Sequence, residues 1–142
     1  MNNTNKLPLE GVVVIDLGQV YQGPYAGFLM AQAGATVIKV EPPNGEPVRH
    51  RARISKGNSV PFAMLNANKR NISLNLKSPE GVTVLKELAA KADVLIENYA
   101  PGVLDRLGVG YSVLSAIIRG WFTARLRVTD CRGLIATIWR WI

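Results

Sequence analysis

A chain of 142 residues, 48% of them hydrophobic, is long enough for one modest domain with a real core and short for two. Its formal charge of +7 is unevenly placed: residues 117–142 carry +4, from five arginines (Arg119, Arg125, Arg127, Arg132 and Arg140) against Asp130, which leaves only +3 on residues 1–116. The body is therefore too ordinary in charge to argue for nucleic acid, its lone Cys131 excludes an internal disulfide and a cysteine-based zinc site, and no apolar run of about 18 residues marks a membrane span.

The N-terminal MNNTNKLPLE lacks the basic stretch and apolar core of a secretory signal, which together with the single cysteine suits a cytoplasmic protein. GVVVIDL at 11–17 is a continuous β-branched run, the pattern of a central strand buried on both faces of a parallel sheet. A glycine-containing turn, GQVYQGP, leads into a helix over 24–33, with Pro24 at its first position and Gly34 closing it. TVIKVE at 36–41 reads as a second strand, so that 11–41 form a βαβ unit. Residues 42–61, rich in proline, glycine and charge, read as a long surface excursion.

NISLNL at 71–76 alternates as a third strand with one wetter face, and 78–92 form the clearest helix, with Ser78 as cap, Pro79 at the first position and Glu80 in the first turn. DVLIEN at 93–98 is a fourth strand, and PGVLDRLG at 101–108 is a short helix stopped by glycine. After the start of another helical segment at GYSVLSAI the pattern breaks near Ile117. All three tryptophans and Cys131 fall beyond that point.

Candidate chemistry collects at strand ends. The turn after the first strand offers backbone amides and a helix N-terminus to an anion. Asn68, Lys69, Arg70, Lys77, Asn98 and Arg106 flank apolar runs, where a guanidinium fork and ammonium point charges suit phosphate; a solvated turn is an equal reading for the Lys69–Arg70 pair, and an ion pair with Glu97 or Asp105 for Arg106. Glu41, closing the second strand, sits where a dinucleotide fold holds a ribose, but glycines at 18, 23 and 27 do not make GxGxxG; a solvated strand end is the alternative. Asp16 reads as structural, the single His50 as a solvated loop residue with no catalytic set around it, and Arg49, Arg51 and Arg53 as either anion-steering or merely solvating groups.

Three segments, LPLEGVVVIDLGQVYQGPYAGFLMAQAGATVIKVEPPNGEPVR, NANKRNISLNLKSPEG and ADVLIENYAPGVLDRLGVGYSVLSAI, together resemble the N-terminal part of the family III CoA-transferases, the CaiB/BaiF family. The resemblance runs over about residues 7–117. It implies a Rossmann-like α/β fold, a parallel sheet with flanking helices forming the incomplete N-terminal part of a larger domain. It also implies coenzyme A as the ligand, carried by an acyl-CoA and passed to a carboxylic acid, with no metal. Gln19, Val20 and Tyr21 match the loop lining the acyl and CoA site, and Leu74, Lys77, Asn98 and Arg106 match positions contacting the coenzyme; Pro42 stands where the family often has a cation. The family's nucleophile, an aspartate that forms a mixed anhydride and then an aspartyl-CoA thioester, lies beyond the matching residues, so no catalytic residue is assigned here. Full-length members are implied to form interlocked homodimers, which a chain of this length is not expected to close.

The resemblance divides the chain into a partial family domain, residues 1–116, and a non-homologous tail, residues 117–142. The family continues with a strand and glycine loop like LVYGSAT and then RDNLAMD, neither of which the tail contains. Codons for 136–142 can nevertheless be chosen so that reading one base earlier gives RDNLAMD, and those for 121–127 so that it gives LVYGSAT. The expectation is a one-base deletion near the codons of Ile117 and Ile118; a basic, tryptophan-rich membrane-surface helix is the competing reading, weakened by charges that share no helical face.

Overall fold

The computed structural model describes residues 6–51, 53–55, 58–117, 122–126 and 136–139. The valine-rich run forms β1 (Val13–Asp16), followed by α1 (Gln22–Gln32) and β2 (Thr36–Glu41), which pairs in parallel with β1. A 3-10 turn (Pro47–His50) and a small hairpin, β3 (Arg53–Ser55) with β4 (Asn58–Ser59), precede α2 (Val60–Asn66) and β5 (Arg70–Ser73). Then come α3 (Pro79–Ala89), β6 (Val94–Glu97), and the short helices α4 (Val103–Arg106) and α5 (Tyr111–Ser115).

The main sheet runs β5-β2-β1-β6 in parallel, continuing into β7 (Phe122–Leu126) and β8 (Ala136–Trp139). The chain steps outward from β1 to β2 and β5, then crosses back through α3 to β6 on the far side of β1. That reversal makes the gap between β1 and β6 a topological switch point, and the loops after these two strands open a crevice at their carboxyl ends. Alternation along the strands gives each face its own core. Val14, Val37 and Ile96 pack with Ala31 of α1 on one side; Ile15, Val40 and Leu95 pack with Leu85 and Ala89 of α3 on the other.

Local chemistry explains the helix ends. Ser78 Oγ accepts from Gly81 N at 3.2 Å with Pro79 behind it, as its sequence predicts. Helix α1 begins at Gln22 rather than Pro24, which places the proline inside the first turn, where its missing N–H is still tolerated. Gly34 takes φ +101°, a left-handed conformation that glycine adopts without penalty, and ends the helix as expected.

Two expectations change. The excursion at 42–61 is not all surface, because Glu46, Val48 and Ser59 are buried and Ser59 Oγ donates to Val48 O at 2.6 Å. A strand also appears where the sequence pattern had broken down: β7 pairs in parallel with β6, from Val94↔Phe122 to Glu97↔Arg125. The physical reason is that β6 is buried and its free edge carries backbone donors and acceptors that need partners, which a neighbouring backbone supplies whatever its side chains. Cys131, Trp121, Trp141 and most of the tail's arginines lie outside the described residues.

Asp16, at the end of the central strand, is fully buried. Its Oδ2 lies 2.8 Å from Lys69 Nζ and its Oδ1 lies 4.0 Å from Lys39 Nζ, both lysine side chains being only 1% exposed. The Asp16↔Lys39 register across β1 and β2 brings the acid and one base together, and Gly27 lets α1 cover them, since a Cβ there would stand 2.9 Å from Asp16 Oδ2. Lys69→Met leaves Asp16 with the Gly18 amide and the more distant lysine as its charge partner, and should destabilise the chain by about 3 kcal/mol, read as a lower urea midpoint at unchanged slope. A loss under about 1 kcal/mol would show the pair to be dispensable.

Candidate functional site at the carboxyl end of the sheet

The loop leaving β1 is held almost atom by atom. Gly18 N donates to Asp16 Oδ1 at 2.8 Å, and the buried Lys39 ammonium donates a very short bond to Gly18 O. Asn98, leaving β6, brackets the next residue: its Oδ1 accepts from Gln19 N at 2.7 Å and its Nδ2 donates to Gln19 O at 2.8 Å. Val20 N then donates to Glu46 Oε2 at 3.0 Å. Val20 has φ +64°, a left-handed backbone that a β-branched residue adopts only when its surroundings impose it.

Glu46 is itself placed from β2. Its N–H donates to Glu41 Oε2 at 3.0 Å, and the Arg49 guanidinium grips Glu41 with a fork, Nε to Oε2 at 2.5 Å and Nη2 to Oε1 at 2.8 Å. Asn71 on β5 adds a short bond to Glu41 Oε1, while Arg49 stacks over the Phe62 ring, 3.7 Å from its centre. Burial pushes the Glu41 carboxyl up, but Arg49, the Glu46 amide and Asn71 outweigh it, so the group titrates below the ordinary range. Its contribution to stability is present above the unfolded-state value and is lost as pH falls through the lower folded one. For Glu46 burial dominates and its carboxyl is pushed up.

Beyond these tethers lies a cavity of about 260 Å³ with mainly apolar walls, from Val40, Leu74, Leu76, Val103 and Leu107, and with Gln19, Lys77 and Tyr99 at its polar edge. It is smaller than a pocket that would enclose a whole cofactor, and so fits one portion of a larger ligand. Gln19 hydrogen-bonds Tyr99, whose phenol is nevertheless pushed up by burial.

The structure thus brings together some of the residues singled out by sequence and separates others. Gln19, Leu74 and Lys77 line the cavity, and Asn98 sits behind it holding Gln19. Val20 turns its amide to Glu46, and Tyr21, 55% exposed, stands outside the cavity. Arg106 is exposed on α4, beside the lining residues Val103 and Leu107, with its guanidinium over Gly102.

Three members of the polar cluster expected to meet phosphate do not do so. Lys69 is buried against Asp16, Pro24 O and Asn66 Oδ1, Asn68 bonds Ala31 O, and Arg70 opens β5, at the opposite end of the sheet from the cavity. Glu41 is neither a ribose ligand nor a solvated strand end, because its carboxylate is spent on Arg49, Asn71 and the Glu46 amide. His50 is exposed as expected, with Nε2 2.9 Å from Asn44 O. Sequence reasoning passed over Lys39, although a lysine inside a buried strand beside Asp16 is a readable signal; Glu46 has no such signal. Among the described residues no cluster of potential metal ligands occurs, and no helix is long and apolar enough to cross a membrane.

A parallel sheet with flanking helices, a switch point between β1 and β6 and an apolar-walled cavity at its carboxyl end define an open α/β domain of the kind that places ligands beyond the strand ends. The chain belongs to CoA-transferase family III, whose model matches residues 9–120. It is 42% identical over 116 residues to the succinyl-CoA–L-malate CoA-transferase beta subunit of Chloroflexus aurantiacus, covering 80% of this chain and 29% of that protein. It is 44% identical over 119 residues to human succinyl-CoA:glutarate CoA-transferase, covering 82% and 27%. The fold superposes on a CaiB/BaiF family protein from Brucella suis with a TM-score of 0.78 and 34% identity, over 83% of this chain and 32% of that one. The chain therefore spans a little under a third of the length of these relatives.

Asn98 offers a direct test of the bracket. Asn98→Ala removes both bonds to Gln19 and should destabilise the chain by about 2 kcal/mol. Asn98→Asp keeps an acceptor for Gln19 N but sets a carboxylate oxygen against Gln19 O. Protonation returns an O–H donor for Gln19 O, so the variant should be least stable at neutral pH and recover part of the loss on acidification. Thermal midpoints between pH 4 and 7 check both; an Asp variant as stable as the native chain at pH 7 would rule the bracket out.

Proposed function

We propose that this chain carries the coenzyme-binding portion of a family III CoA-transferase and holds CoA at the carboxyl end of its sheet. The observation that carries the reading is the cavity between β2, β5 and the β6–α4 connection, where apolar walls meet Lys77 and the tethered Gln19 amide. Apolar side chains accept a flat or aliphatic part of the coenzyme, Lys77 supplies a phosphate-directed charge, and Arg106 on the adjacent side of α4 adds a second cation at the rim. Val20 and Tyr21 act through the loop, Val20 by its strained backbone and Tyr21 as an exposed ring next to it. The substrates of this reading are an acyl-CoA and a carboxylic acid, as the relatives' names state for those proteins. A nucleotide oxidoreductase is disfavoured because Glu41, the residue it needs for the ribose, is already fully engaged.

Calorimetric titration of the whole chain with CoA, and separately with NAD, tests the binding. CoA should bind and NAD should not. Lys77→Ala should weaken CoA about tenfold, and the affinity of the native chain should fall with added salt. Equal heats for CoA and NAD, or none with CoA at millimolar concentration, would refute the reading.

We further propose that residues 117–142 are read out of frame, so that the family's nucleophilic aspartate has no counterpart here and the isolated chain does not turn over. The support is the end of the family match at residue 120 and the sharp change of composition near it, together with the fact that codons for the tail can be chosen so that a shifted frame encodes family-like peptides; a strand at β7 is compatible, since its pairing is made by backbone alone. Restoring one base near the codons of Ile117 and Ile118 should open a frame continuing the family's motifs. Transfer from succinyl-CoA to a carboxylic acid by the purified 142-residue chain, or a restored frame without such motifs, would sink the proposal.

A further inference from the structure

Two side chains outside the loop's own segment hold its backbone amides, and only one, Asn98, is among the candidate site residues that the sequence offers. The other is Glu46. We infer that Glu46 is a positioning residue, whose carboxylate oxygen holds the Val20 amide and thereby sets Gln19 and Tyr21 for the ligand. This rests on the CoA-site reading above.

Four observations carry it. Glu46 is 1% exposed although it lies in a proline- and glycine-rich connection, so its burial needs a reason. Its Oε2 accepts from Val20 N at 3.0 Å, an amide that neither Asn98 nor Asp16 holds. Val20 is the residue whose φ of +64° demands an external restraint. Finally, Glu46 is pinned from behind by Glu41 and Arg49, so that β2, the 3-10 turn and the loop move together. Its second oxygen, Oε1, is buried with no hydrogen-bond partner. A carboxylate kept in such surroundings is unfavourable for folding, and burial accordingly pushes the group up. By linkage, the stability Glu46 contributes is complete below its unfolded-state value and is lost as pH rises through the raised folded one. At neutral pH it is therefore a liability to folding alone, which points to a role in the site.

The role needs an acceptor at a fixed reach rather than a charge, and three substitutions separate these. Glu46→Ala removes the acceptor, Glu46→Asp keeps the charge but is shorter by one methylene, and Glu46→Gln keeps both length and acceptor. Amide exchange of Val20 in the ligand-free chain and calorimetric CoA affinity are measured for each. The Ala and Asp variants should exchange Val20 N–H at least tenfold faster and bind CoA about tenfold more weakly. The Gln variant should match the native chain in both within about threefold and melt no lower at pH 7. Unchanged Val20 exchange in the Ala variant overturns the inference, as does faster exchange with unaltered affinity, or a Gln variant as impaired as Ala. If the native chain itself fails to bind CoA, the site reading falls, and the exchange series alone then decides whether Glu46 holds the loop.

Discussion

A carboxylate buried at the end of the central strand sets the terms for everything at this end of the molecule. Asp16 cannot remain in an apolar layer without charged and hydrogen-bonding partners. It obtains them from three directions: the Gly18 amide, Lys69 from the α2–β5 connection and, farther off, Lys39 from β2. Each partner fixes a piece of structure. Lys69 ties β5 and its approach beneath α1, where Gly27 leaves the room. Lys39 reaches past Asp16 to Gly18 O. The direction in which the chain leaves β1 is settled before any ligand is considered.

From that starting point the restraint passes outward along the loop. Asn98 takes both backbone groups of Gln19, Glu46 takes Val20 N, and Glu41 with Arg49 holds Glu46. A loop restrained by β1, β6 and the segment after β2 loses little further entropy when it meets a ligand, which is the physical advantage of preorganisation. The left-handed Val20 belongs to the same economy of form, being a strained residue that persists because its neighbours over-determine it. The cavity beside it is mainly apolar, with Gln19 and Lys77 among the few polar groups along its edge.

Much of this was legible in residue order. The β-branched run of β1, the Ser78–Pro79–Glu80 start of α3, the glycine closing α1 and the apolar β6 all follow from propensity, capping and periodicity, and the motifs around them suffice to mark the family. The site was legible only in part. Gln19, Leu74, Lys77 and Asn98 meet around one crevice, whereas Lys69, Asn68 and Arg70, equally plausible as phosphate ligands by composition, are consumed by the fold or lie at the other end of the sheet. A cation before a strand looks the same in sequence whether it faces a ligand or a buried aspartate.

The sequence by itself determined the α/β class, the four parallel strands with the helices α1 and α3 that flank them, and the family, because those depend on local periodicity and on motifs contiguous in the chain. Only the tertiary structure decided which charges are available. Asp16 and Lys69 are 53 residues apart, Gln19 and Asn98 79, and Val20 and Glu46 26. Pairing over such separations is set by strand order, register and burial, and a hydrogen bond made across the switch point leaves no mark in the spacing of the residues that form it.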